Sequence, residues 1–210
     1  MKIATPTAFI LDWEAGKDIL IYRKIERIGR VAYKSEDRIS NGSAERFIKM
    51  LLDLGHESVL EHVSLSCKFI CDRGVSHELV RHRIASYTQE STRYCNYQGE
   101  KFGGEITVIY PSSLPNDQLS IFRTAMEAAE NAYMKLINSG VSPQIARSVL
   151  PNALKTEVIM TANLREWRHF FKLRCSPKAH PQMREITCEL LNEFKNKLPV
   201  IFGDIYIDEG

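Results

Sequence analysis

Between Val80 and Tyr94 the chain concentrates polar chemistry: Arg81, Arg83 and Arg93, with His82, Gln89, Glu90, Tyr87 and the hydroxyls of Ser86, Thr88, Ser91 and Thr92. A guanidinium is permanently charged and presents a rigid fork of donors that meets a phosphate or carboxylate with two bonds at once. Three of them so close together repel one another unless an anion or an acidic side chain lies between. A solvated basic face or an ion-pair cluster would account for the charge alone. The order of residue types argues for more. A helical half, predicted to reach about Ser86, is followed by a hydroxyl-rich, turn-like half, so two different surfaces could close on one ligand.

A second polar cluster runs from Gly55 to His62. His56, Glu57 and His62 are good metal ligands, but at about 100° per residue the two histidines would point to different helix faces. Ordinary hydrogen-bonded histidines are the better account. No Gly-x-Gly-x-x-Gly occurs and the 11 glycines are scattered. A dinucleotide would therefore have its diphosphate held by side chains, for which Arg81, His82, Arg83 and Arg165 are available. No Gly-x-Ser-x-Gly turn supports a serine hydrolase, and nothing marks Cys95 as a nucleophile. The 5 cysteines form no tight pairing pattern, as expected of free thiols in a reducing compartment. A net charge of +2 is too small for a general nucleic-acid or membrane-surface binder. With no apolar run long enough to span a bilayer and no signal peptide, the expectation is a cytoplasmic protein. A rival reading is a non-catalytic RNA- or nucleotide-binding module, with Tyr87 and Tyr94 stacking on bases. The near-neutral charge weighs against it.

Arg81-His82-Arg83, followed by Ser86, Ser91 and Arg93, resembles the signature of the flavin-dependent thymidylate synthases, Arg-His-Arg-x-x-Ser-x-x-x-x-Ser-x-Arg, at every specified position. The resemblance extends to Gly-His-Glu-x-x-x-Glu-His from Gly55, to Arg147 in Ala-Arg-x-Val-Leu-Pro, to Asn163-x-Arg165 and to Arg174 in Phe-Phe-x-Leu-Arg. It implies conversion of dUMP to dTMP, with methylenetetrahydrofolate as carbon donor, FAD as redox cofactor, NADPH as reductant and no covalent nucleophile from the enzyme. It also implies a homotetramer with active sites shared between subunits. Carried over by position, Arg81, Gln89, Ser91, Thr92, Arg93 and Arg147 would bind the nucleotide, with Glu78 and Glu90 in the same pocket. Arg174 would reach the uracil carbonyl and favour loss of the ring proton, and Ser91 would orient the base. His56, Ser58, Glu61, Arg81, His82, Arg83, Gln89, Asn163, Arg165 and His169 would surround FAD. Gln89, Glu78, His169 and the Ala179–Glu185 stretch depart from commoner family residues.

The elements that must carry these groups follow from periodicity. Thr7 to Asp12 and His62 to Asp72 read as strands, the latter alternating through Val63, Leu65, Cys67, Phe69 and Cys71. Helical spacing covers Asp18–Tyr33 and Ser43–Leu54, the latter with Ser43 as N-cap. After Arg73-Gly74, Ser76 could cap a helix carrying Leu79, Val80 and Ile84 inward. The polar run from Tyr94 to Gly104 reads as a mobile loop, and Glu105–Tyr110 as a strand. Leu119–Ser139 is the clearest helix, striped by Phe122, Ala125, Met126, Ala129, Tyr133, Leu136 and Ile137. A short helix from Ser142-Pro143 and a strand over Lys155–Thr161 come next. Asn163 and Glu166 form a capping-box pattern for a helix to Arg174, which continues the stripe of Leu164, Trp167, Phe170 and Phe171. A last helix through Ile186, Leu190, Leu191, Phe194 and Leu198 precedes a short acidic tail. The expected fold is a single mixed α/β (α+β) domain over residues 1–210, with a mostly antiparallel sheet flanked by helices.

Overall fold

The computed structural model describes residues 1–207; the end of the acidic tail lies outside them. The chain divides into two compact units built from separate stretches: residues 1–7, 69–81 and 87–159 form one, and 8–68, 82–86 and the chain from 160 onward the other. The architecture is mixed α/β, with an antiparallel sheet of four strands in the order β2 (Thr7–Ile10), β3 (Ser64–Asp72), β6 (Lys155–Asn163), β4 (Ala85–Gln89). The two central strands alternate as half-buried strands should. Leu65, Cys67, Phe69 and Cys71 are buried on β3, and Thr156, Val158, Met160 and Ala162 on β6.

In the first unit a two-stranded parallel pair joins β1 (Lys2–Ala4) to β5 (Thr107–Ile109), with Lys2 opposite Thr107 and Ala4 opposite Ile109. A three-residue strand gives almost no periodicity to read, and β1 escaped sequence analysis for that reason. The core here is Tyr97, Ile106, Val108, Tyr133, Ala146 and Leu154. Of the expected stripe on α4 (Leu119–Asn138), only Tyr133 is fully buried, and Ala125 is exposed; the short α5 (Pro143–Ala146) follows and buries Ala146. The stretch after Tyr94, expected to be mobile, is anchored by Tyr97. Its ring is buried, its backbone N–H donates to the Tyr133 hydroxyl at 3.4 Å, and its own hydroxyl donates to Glu90 at 3.3 Å.

The Val80–Tyr94 region departs from expectation. Helix α3 (Arg73–Leu79) stops at Leu79, and β4 begins six residues later. Val80 and Ile84 are 43% and 68% exposed rather than inward. The helix is capped by Asp72, whose Oδ1 accepts the Val75 N–H at 2.6 Å, while Ser76 donates to the Arg73 carbonyl instead. At the other end the Tyr87 hydroxyl donates to the Leu79 carbonyl at 2.8 Å, satisfying one of the last acceptors of the helix. β4 is an edge strand of small and polar residues, and such a strand carries no apolar alternation for the sequence to show.

The second unit is helical around an aromatic core. α1 (Lys17–Tyr33) lies against α2 (Ser43–Asp53), and a Cβ at Gly29 would come within 2.7 Å of the Phe47 ring. Ser43 is the first helical residue, not the cap; its hydroxyl donates to the Ser40 carbonyl. α6 (Leu164–Arg174), α7 (Pro181–Lys197) and α8 (Pro199–Phe202) bury Trp167, Phe170, Phe171, Phe194 and Phe202 in mutual ring contact. α7 starts at Pro181, earlier than its apolar stripe suggests, because proline fits the first turn of a helix. The Trp167 indole donates to the Leu65 carbonyl at 3.1 Å, tying α6 to β3.

Candidate active site

Asn163 starts α6: its side chain accepts the Glu166 N–H at 2.8 Å, the cap read from the sequence. Helical geometry then places Glu166, Phe170 and Arg174, four residues apart, along one face. His82 lies over that face and touches all three. Its Nδ1 is 3.3 Å from Glu166 Oε1, its ring is 4.9 Å from Phe170, and its Nε2 is 3.0 Å from Arg174 Nε. Arginine can only donate, so Nε2 must accept, and the proton of the neutral ring sits on Nδ1, donated to Glu166. Burial, then the Arg174 and His169 charges, push His82 down from 6.5 to about 4. The imidazole is therefore neutral at physiological pH, and Glu166 is itself held above the usual carboxylate range by burial.

Beside this face opens a cavity of about 610 Å³, lined by Asn163, Arg165, Glu166, His169, Glu61 and Ile84 among others. Arg165 and Glu61 pair across it at 2.5 Å, both about half exposed, an ion pair that contributes little to stability. His56 and Ser58 are exposed on the neighbouring 3₁₀ turn, where His56 Nδ1 meets the Tyr33 hydroxyl at 2.9 Å. Arg83 is exposed. The His82, Glu166 and His169 ligand atoms lie within 4.8 Å of one another, yet both His82 nitrogens are already engaged. Arg168, on the same helix, is structural: it is 2% exposed and grips Asp204 through two bonds of 2.6 Å.

The first unit gathers the other candidates. Thr92 is buried and accepts from Arg147 Nη1 at 3.2 Å. The Ser91 hydroxyl accepts the Arg93 N–H at 3.3 Å, and the Arg93 guanidinium lies over the Tyr94 ring. Glu90 accepts from Lys155 at 3.1 Å and from the Tyr97 hydroxyl. Burial opposes the Lys155 charge, but hydrogen bonds and attraction from Glu157 and Glu90 outweigh it and hold the ammonium above its usual range. Gln89 Nε2 donates to Ser76 at 3.0 Å and Thr156 at 3.2 Å, so its amide nitrogen faces protein. Glu78 is half-buried on α3, and Arg81 beyond it is exposed. Sequence reasoning used Glu166 only as half of a capping box and passed over Lys155. Glu166 falls four and eight positions before Phe170 and Arg174, the one signal that could have placed it beneath a ligand-facing group.

The family model described as "Thymidylate synthase complementing protein" matches residues 21–200. The flavin-dependent thymidylate synthase of Geobacter sulfurreducens is 40% identical over 171 residues, which is 80% of this chain and 72% of that protein. This chain belongs to the flavin-dependent thymidylate synthase family. It is an enzyme of that family. The synthase of Pyrococcus furiosus is 38% identical over 80% of this chain and 70% of its own length. In fold, the chain is similar to a UMP/dUMP methylase of Streptomyces cacaoi solved with 5-Br dUMP, at a TM-score of 0.77 and 24% identity, covering 97% of this chain and 96% of that one. The arginine signature thus sits in a synthase of this family, with Arg81 to Arg93 spread over the α3–β4 connection and the turn after it.

Proposed function

We propose that this synthase reductively methylates dUMP to dTMP, taking the carbon from methylenetetrahydrofolate and using FAD as redox cofactor and NADPH as reductant, in a homotetramer. The observation that carries this reading is the setting of Arg174, a cation held through Nε by an imidazole that stays neutral. A guanidinium fixed this way beside a pyrimidine carbonyl stabilises the anion left when the ring N–H gives up its proton. Arg81, Arg93 and Arg147, with the Ser91 and Thr92 hydroxyls, hold the phosphate; Glu78, Gln89 and Glu90 shape the same pocket. Ser91 orients the base and forms no bond to it, since no base beside it would take its proton.

The cavity on α6 fits a flavin nucleotide in size and donors. A volume of about 610 Å³ lies within the range of small-molecule sites. Arg165 and Lys172 supply cations for phosphates, Asn163 and His169 supply hydrogen-bonding groups, and Ile84 offers apolar surface. His56, Ser58, Glu61, Arg81, His82, Arg83 and Gln89 complete the proposed set. When bound, FAD supplies the redox chemistry, while the chain binds, orients and sets charge. The test is direct: purified protein with dUMP, methylenetetrahydrofolate, FAD and NADPH should yield dTMP by chromatography. Absence of dTMP with a fully loaded flavin would refute the reading.

A further inference from the structure

Two thiols that this reaction does not use lie near each other, one just past the end of α6 and one on α7. Cys175 follows α6 directly, is 2% exposed, and its thiol is close enough to that of Cys188 for each to shift the other's ionisation. Cys188 is half-buried on α7 and reaches a recess of about 350 Å³, lined also by Pro177, Ala179, Pro181, Arg184 and Glu185. Arg184 is one turn before Cys188 on the same helix, and its Nε donates to the Cys175 carbonyl at 3.3 Å. One thiol is thus accessible, flanked by cations, and its neighbour is buried within reach of it. That is the arrangement of an attacking and a resolving cysteine.

We propose that Cys188 is an oxidation site for small hydroperoxides and that Cys175 resolves it, forming a disulfide between the end of α6 and α7. The Cys188 thiolate attacks one oxygen of hydrogen peroxide; the O–O bond breaks and the departing hydroxide takes a proton to become water. The sulfenic acid left on Cys188 is then attacked by the Cys175 sulfur. The S–S bond forms, the S–O bond breaks, and the hydroxyl leaves as water with the proton from Cys175. Two electrons pass from the sulfurs to the peroxide, and two thiols plus one peroxide become one disulfide plus two waters.

Electrostatics favours Cys188 as the attacking group. The Cys175 thiol lowers that of Cys188 to about 7 against the opposing effect of burial, and Arg184 and Lys195 add to the lowering. Cys175 is raised by Cys188 in turn and by burial, so it keeps its proton until the second step. The other thiols lack this setting: Cys67 and Cys71 are buried and raised by burial, and Cys95 is raised by burial and by Glu90. Such a disulfide would tie Cys175, which Arg174 immediately precedes, to α7 and so constrain the backbone that carries the guanidinium. That functional consequence rests on the proposed role of Arg174; the disulfide itself does not.

The experiment titrates the FAD-loaded protein with hydrogen peroxide, blocks remaining thiols, and maps peptides without reduction. A Cys175–Cys188 disulfide should form before Cys67, Cys71 or Cys95 reacts, and a dithiol should reverse it. C188S should abolish the bridge. C175A should leave a sulfenic acid on Cys188 that a dimedone probe traps, and should slow alkylation of Cys188 at neutral pH roughly tenfold as its thiolate fraction falls. Oxidation of Cys95 ahead of Cys188, or a Cys188 driven to sulfinic acid beside an unreacted Cys175, overturns the proposal. If the bridge forms and dTMP production does not change, only the link through Arg174 fails.

Discussion

Arg174 can act on a pyrimidine only if the imidazole behind it stays neutral, because a charged His82 would have no lone pair for the Arg174 Nε–H and would repel the guanidinium. Arg174→Ala should therefore lower dTMP formation by at least about a hundredfold, as loss of one charge-stabilising donor does. FAD binding, followed by flavin fluorescence, should change far less. Glu166→Gln tests the hydrogen bond that sets the His82 tautomer: an amide can turn its NH₂ toward His82 and favour the other tautomer, so dTMP formation should drop while the fold persists. Nitrogen NMR of the His82 ring should show Nδ1 protonated in the native protein and a mixture in the variant. A pH effect follows with a definite sign. His82 titrates near 4 folded and near 6.5 unfolded, so the unfolded chain takes up the proton first as pH falls. Its contribution is whole above pH 6.5, drains between 6.5 and 4, and is gone below; it amounts to about 3 kcal/mol. Urea titrations across that window should show His82→Gln losing less stability than the native chain as pH falls.

At the scale of elements, two substitutions examine how the site is held. Asp72 starts α3 by accepting the Val75 N–H, so Asp72→Ala should cost about 1–2 kcal/mol and Asp72→Asn less, by urea midpoint. Gly29→Ala should destabilise despite alanine's better helix propensity. The new Cβ would meet the Phe47 ring at 2.7 Å, and overpacking of about 1–3 kcal/mol exceeds the gain of about 1 kcal/mol in propensity. A stabilised Gly29→Ala protein would mean that the Phe47 ring moves aside at little cost.

For the molecule as a whole, the proposal requires assembly and a bound flavin. The protein loaded with FAD should be yellow, its visible spectrum should shift on adding dUMP, and its mass by light scattering should be about four times the 24.1 kDa of the chain. Ile84, 68% exposed, and Leu173, 48% exposed, are large apolar side chains of the kind that assembly covers. A colourless monomer that ignores dUMP would defeat the proposal at this scale. No helix among the described residues is long and apolar enough to cross a membrane.

The amino-acid sequence alone disclosed the family signature, the strand through Cys67 and Phe69, the cap at Asn163 and the long amphipathic helices. Each of these is written in local spacing, with a period of two or 3.6 or a residue type at a helix start. What stayed hidden depends on groups distant in the chain. β4 is a strand because β6 offers it a partner, not because Ala85–Gln89 alternates in hydrophobicity. The role of Glu166 exists only because His82, 84 residues away, lies over α6, and the neutrality of that histidine comes from burial and from Arg174. The Cys175–Cys188 pair is likewise invisible to spacing, since a bend between two helices sets it. Local periodicity fixes which face a residue takes on its own element. Only tertiary packing decides which other charge or proton donor meets it there.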